Sequence, residues 1–317
     1  MVEVGPLATS LPDLLRLLVV PAFAWAALHD VRTRRVDNRL WPPLVGLGVV
    51  AGAIEGWDAL AAGGFVWRGF VAVTAASLLL LLPLAYLFWY FGAFGGADAK
   101  AVMALAVVFP TVPAYALDGT TLPMVDPASG LFGLAILTNA AVLAMGYPLA
   151  LAARNLVEGT IRPPMFVGRP IAPERAGELP GRLLESPDGF DRRGLDLDAL
   201  RMYLAWRETT VAELRADPEH FRDRGPETTG DPGDGAIADG GTIDDPWAAE
   251  AFVDAVGHEP YGTSPRTLRE GLELIATRER VWYSPGIPFV VLLALGLVVA
   301  LAYGDLYHAF LSAVGVA

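Results

Sequence analysis

Two aspartates stand where an ionisable side chain is costly. Asp30 closes the first apolar stretch, in His29-Asp30-Val31-Arg32-Thr33-Arg34-Arg35-Val36-Asp37-Asn38. Asp98 lies between the third and fourth apolar stretches, in Gly95-Gly96-Ala97-Asp98-Ala99-Lys100. A charge at a membrane boundary is solvated, paired or functional. Taken singly, each reads as a solvated loop charge, with Asp30 neutralised by its arginines. Taken together, they have a chemistry that neither has alone. Two carboxylates a few ångströms apart resist joint ionisation and hold one proton between them. The ionised member can take a proton from water, and the protonated one can donate to a peptide carbonyl oxygen. That is general acid–base hydrolysis without a covalent intermediate. Gly95 and Gly96 would let a substrate strand approach the backbone, or simply let helices pack closely.

The elements that must position these acids are apolar. Of the 317 residues 54% are hydrophobic and 18% charged, and the mean hydropathy is +0.43. Ordinary soluble domains carry about 25% charged residues. A span needs roughly 20 mostly apolar residues. Six stretches qualify or nearly do: 11–28, 41–54, 65–91, 101–117, 131–153 and 286–303. The second is short enough to be re-entrant. The expected fold class is therefore all-α: a polytopic membrane protein with about six transmembrane helices and a helical, partly disordered cytoplasmic insert. The expected organisation is a membrane domain over 1–153 with both aspartates, an acidic insert over 154–285, and a last span within 286–317.

Arginine sets the orientation, because basic residues concentrate in cytoplasmic loops. The loop after the first stretch carries Arg32, Arg34, Arg35 and Arg39, the third loop carries Lys100, and the large fifth region is arginine-rich. The second and fourth loops carry no basic residue. The alternation predicts a cell-membrane protein with both termini outside and both aspartates at the cytoplasmic face. The insert is acidic, with a Gly-, Asp- and Pro-rich linker over 225–246 that cannot bury a core. Helical periodicity flanks that linker, over 196–214 and 268–281.

Composition excludes other classes. With no cysteine there is no thiolate zinc site, iron–sulfur cluster or cysteine nucleophile. The four histidines lack metal-ligand spacing, so no metal and no cofactor is expected. A net charge of -12 argues against a nucleic-acid partner. Lys100 is the single lysine, and an acidic, lysine-poor composition suits a high-salt cytoplasm. Asn38 is placed to hydrogen-bond near the aspartates or to cap the second span. Lys100 is placed to hold a substrate carbonyl or lower the Asp98 pKa, or to mark the membrane boundary.

These two segments resemble the signature motifs of the prepilin peptidases, membrane aspartic proteases that process type IV pilin-like precursors. The first motif is an Asp followed by a basic stretch and a hydrophobic-x-Asn, matched by Asp30 through Asn38. The second is Gly-x-Gly-Asp or, more loosely, Gly-x-hydrophobic-Asp, often with Lys two residues on, matched by Gly95 through Lys100. Ala97 fits the looser form of the archaeal branch. The Pro-rich segment Ser284-Pro285-Gly286-Ile287-Pro288-Phe289 is similar to the start of the last helix in that branch.

The resemblance implies an aspartic endopeptidase with Asp30 and Asp98 as its catalytic pair. Its partners would be the lipid bilayer and precursors, pilins or archaellins, with a short basic leader before a hydrophobic helix. The zinc-type four-cysteine loop of bacterial members is missing, which implies no zinc and argues against their methyltransferase activity. The resemblance does not extend over 154–280. The rival readings are an ion-coupled transporter, which would place acids at the midplane and show inverted repeats, and a non-catalytic membrane assembly protein.

Overall fold

The computed structural model of the protein describes residues 2–33, 36–223, 245–286 and 288–315. In chain order the elements are β1 (Val2–Val4), β2 (Leu7–Thr9), α1 (Leu11–Arg16), α2 (Val19–Thr33), α3 (Trp41–Ala62), α4 (Gly64–Tyr90), α5 (Gly96–Val108), β3 (Tyr115–Leu117), β4 (Thr120–Leu122) and α6 (Phe132–Val157). After α6 come β5 (Arg169–Ile171), β6 (Arg182–Leu183), β7 (Glu185–Ser186), β8 (Gly189–Phe190), α7 (Leu197–Trp206), α8 (Val211–Ala216), α9 (Pro218–Asp223), α10 (Ala249–Val256), α11 (Pro265–Thr277) and β9 (Val281–Ser284). The chain ends with α12 (Phe289–Ala302) and α13 (Leu306–Ala313). It divides into two compact units, one of residues 1–147 with 288–317 and the other of residues 148–287.

The first unit is mostly helical. Four helical segments are long and apolar enough to cross a membrane: Leu11–Thr33, Asn38–Ala62, Gly64–Tyr90 and Phe132–Val157, with Phe289–Ala302 shorter. These fit a multi-pass membrane protein. The second stretch, expected to be short, runs on through Ala62 because Trp57, Leu60 and the alanines around them keep it apolar and helix-forming. The expected fourth span over 101–117 is a correction. Helix α5 stops at Val108, ahead of Phe109-Pro110, where the ring of Pro110 disfavours a helical residue before it. At 13 residues it reaches about 20 Å, short of the roughly 30 Å hydrocarbon core. Tyr115–Leu117 lies instead in the sheet β1-β2-β3-β4, a small strand element within a mostly helical fold.

Helix α5 packs between α3 and α4 and also touches α12, which in turn packs on α2. Phe23, Trp41, Leu105, Phe109, Phe132, Ile136, Leu293 and Leu297 form the shared core. Two glycines let backbones meet. A Cβ on Gly48 would stand 2.8 Å from the Val108 Cα, and one on Gly296 would stand 2.6 Å from the Ile136 carbonyl. Small residues serve helix contacts in this way where no hydrophobic driving force acts between helices.

The second unit has its own core, including Leu183, Leu195, Leu200, Tyr203, Phe252, Leu272, Ile275 and Tyr283. It carries the antiparallel sheet β5-β9-β6 and the hairpin β7-β8. The helical pattern over 196–214 is two helices, α7 and α8. Glu208 takes a positive φ of 50° between them, and Thr210 caps α8. The pattern over 268–281 is helical to Thr277 and then becomes strand β9, which begins at Val281. Of the 225–246 linker, residues 225–244 lie outside the described residues, and Pro246–Ala248 is a 3-10 turn.

Candidate active site

Asp30 sits in the last turn of α2, 9% exposed. The turn beyond it is held by Thr33, whose hydroxyl donates to the His29 carbonyl at 2.9 Å. His29 stacks on Trp25, one turn back, with centroids 5.1 Å apart. The chain then passes to a 3-10 turn, Asn38–Leu40, that leads into α3. The capping role there falls to Asp37, which accepts from the Arg39 N–H at 2.9 Å. The Asn38 side chain is thereby free of capping duty.

Asp98 is placed by a second local device. Helix α4 ends in a reversal in which the Phe88 carbonyl accepts from both Ala93 and Phe94, and Gly92 takes a φ of +74°. Phe94 packs edge-on to Phe88 and against Phe289 at the start of α12. Gly95 follows in extended conformation, and α5 begins at Gly96. Asp98, in its first turn, accepts from the Gly95 N–H at 3.0 Å. A carboxylate in this position meets the partial positive end of its own helix.

The two segments come together at one end of the membrane unit. The Lys100 ammonium donates to the Asn38 side-chain carbonyl at 2.7 Å. Asp98, which precedes the expected fourth span, has its pKa pushed up to about 6. Burial is the main cause, the Gly95 hydrogen bond opposes it, and the negative charge of Asp30 adds to it. The carboxylates thus lie within electrostatic reach of each other. Beside Lys100, between α4 and α5, an apolar cavity of about 260 Å³ is lined by Tyr86, Trp89, Gly96, Ala99 and Met103.

Gly95 and Gly96 differ in their surroundings. A Cβ at Gly95 would stand 3.0 Å from the Asp98 carboxylate, whereas at Gly96 nothing lies within 4 Å. Among the described residues no three His, Asp or Glu side chains are grouped to hold a metal ion.

The sequence model of the type IV leader peptidase family matches residues 17–149. This region is similar to the type IV leader peptidases. It contains Asp30, Asn38, Gly95, Gly96, Asp98 and Lys100, and it ends where the second unit begins. No curated protein and no solved structure matches the chain.

At the far end of α5 lies a charged group that the sequence motifs do not single out. Arg16, 1% exposed, donates to Asp13 at 2.7 Å, to Glu55 at 2.5 Å and to the Val108 carbonyl at 2.8 Å. Its signal was an arginine inside an apolar stretch, which must find a partner.

Proposed function

We propose that this protein is a membrane aspartic endopeptidase of the cell membrane. It removes the short basic leader from pilin-like or archaellin precursors at the cytoplasmic face. Asp30 and Asp98 hold one proton between them. The ionised carboxylate takes a proton from water, and the resulting hydroxide attacks the scissile carbonyl carbon. The protonated carboxyl donates to the carbonyl oxygen, giving a gem-diol. As the C–N bond breaks, the carboxyl that took the water proton passes it to the leaving amine, and the other takes back a proton from the gem-diol as the product acid forms. Neither zinc nor methyl transfer enters this reaction.

The juxtaposition of Lys100 with Asn38 supports the reading most directly, because it brings the two aspartate-bearing segments to one end of the membrane unit. In this reading Lys100 and Asn38 fix the segments and meet the substrate backbone. Gly95 and Gly96 leave room for the extended strand. The cavity between α4 and α5 receives an apolar side chain from the hydrophobic segment that follows the cleavage point.

The test is co-expression of the wild type, Asp30→Asn and Asp98→Asn with a tagged pilin-like precursor, whose N-terminus is read by mass spectrometry. The wild type removes the leader, and both variants, present in membranes at normal level, leave it on. Cleavage by both single variants would sink the dyad.

A further inference from the structure

We propose that the unit of residues 148–287 holds the phosphate of an anionic lipid headgroup in a cavity bordered by Arg162, Arg278 and Arg280. The cavity has a volume of about 640 Å³. Three features support it.

The first is unspent charge. Among the described residues none of the three guanidinium groups is ion-paired. Two carboxylates also line the cavity. Glu185 is committed to the backbone, accepting from the Trp282 N–H at 3.1 Å, and Glu279 is exposed between Arg278 and Arg280. The hydroxyls of Thr160 and Ser186 add neutral donors. Planar guanidinium forks match phosphate oxygens two at a time.

The second is the end of α11. The last carbonyls of a helix repel an anion. Here Arg215 donates to the carbonyls of Ile275 and Arg278. That pairing offsets the negative helix end.

The third is position along the chain. Helix α6 has 26 residues, more than the roughly 20 that a span needs, so the chain that leaves it emerges near the headgroup layer. Thr160 and Arg162 follow directly after its last residue, Val157. They are also folded back onto the helix. Thr160 N–H donates to the Asn155 carbonyl, and the buried Asn155 amide donates to the carbonyls of Met165 and Gly168, each at 2.8 Å. A basic cavity held just beyond a membrane helix is suited to a lipid headgroup.

The test uses the full-length protein in an uncharged detergent, with native mass spectrometry counting retained lipid. Phosphatidylglycerol is compared with phosphatidylcholine, for the wild type and for the variant Arg162→Gln/Arg278→Gln/Arg280→Gln. All three residues are exposed, and an unchanged melting temperature shows that the variant folds. The wild type is expected to prefer phosphatidylglycerol by about tenfold, the equivalent of one charged hydrogen bond, and the variant to lose that preference. Displacement of the bound lipid by inorganic phosphate supports phosphate as the recognised group. Equal retention by wild type and variant, or no preference in the wild type, overturns the proposal. Arginine-dependent binding of inorganic phosphate with no lipid retained assigns the cavity to a soluble phosphate compound and also overturns it. The readout requires no leader cleavage, so it stands apart from the peptidase reading.

Discussion

Lys100 reaches across from α5 to donate to Asn38, 62 residues earlier in the chain, at 2.7 Å. Two whole helices, α3 and α4, separate these residues in sequence, and the bond closes that loop at the level of the aspartates. Both partners are exposed, so their bond adds less than about 1 kcal/mol to stability. Its effect is expected in the reaction. Lys100→Met and Asn38→Ala each lower the rate of leader removal by about tenfold, with melting temperatures close to wild type. The double variant loses little beyond either single one, because both remove the same bond. Fully additive losses in a double-mutant cycle would count against a shared role.

Gly95 and Gly96 are adjacent but are expected to respond differently. Neither has a positive φ, so alanine is sterically allowed by the backbone at both. Gly95→Ala sets a methyl 3.0 Å from the Asp98 carboxylate and forces it to shift by a few tenths of an ångström. That displacement weakens the Gly95 N–H bond which holds Asp98 in place. Gly96→Ala meets open space. Precursor cleavage should therefore fall steeply in the first variant, through the displaced Asp98, and only modestly in the second, where a methyl narrows the room for the substrate strand. Equal activity in both would show that the placement of Asp98 is not limiting.

The raised pKa of Asp98 makes stability depend on pH in a definite direction. Its folded value, about 6, lies above the ordinary 3.8. The folded state therefore binds the proton more tightly than the unfolded state. This contribution is fully present below about pH 4 and is lost as pH rises through 6. The shift corresponds to a loss on the order of 3 kcal/mol, shared with Asp30 because the two charges interact. Asp98→Asn mimics the protonated form. Its melting temperature should exceed that of the wild type above pH 6 and converge with it near pH 4. The same difference at every pH would remove ionisation as the cause.

The third and fifth apolar stretches were legible almost to their ends, because apolar length is what a membrane demands, whereas the second was read too short and the fourth too long. The candidate residues could be grouped because two short motifs carry both acids, but only tertiary structure shows Lys100 on Asn38. Elements smaller than a helix were harder to read. The hairpin of β3 and β4 turns on Asp118-Gly119, both at positive φ, a known hairpin pair. That dipeptide was present in the sequence, but the apolar run ahead of it masked the strand. The division of residues 196–214 rests on the positive φ of Glu208, which a glutamate does not advertise. Conversely, the ends of α5 were misplaced because periodicity does not register the local block at Pro110.

Arg16 yields the sharpest stability prediction. It is buried within the helical segment Leu11–Thr33 and joins α1 to α3 through Glu55 and to the end of α5 through the Val108 carbonyl. Thr111 donates to Glu55 in turn, and the Tyr115 hydroxyl donates to the Asp13 carbonyl. Replacing Arg16 by Met keeps most of the stem but leaves Asp13 and Glu55 without their cation. It also leaves the Val108 carbonyl without its guanidinium donor. Breaking one side of a buried ion pair costs about 3–5 kcal/mol. The variant should unfold in detergent at a much lower temperature than the wild type. Arg16→Lys keeps the charge, but one ammonium cannot reach Asp13, Glu55 and Val108 in the fork geometry that the guanidinium uses. It should recover only part of the loss. A third variant, Arg16→Met with Asp13→Asn and Glu55→Gln, removes the stranded charges as well. Stability regained there, beyond Arg16→Met alone, would show that uncompensated carboxylates cause the loss. No regain would place the loss in the broken bond to α5, the helix that carries Asp98 at its other end.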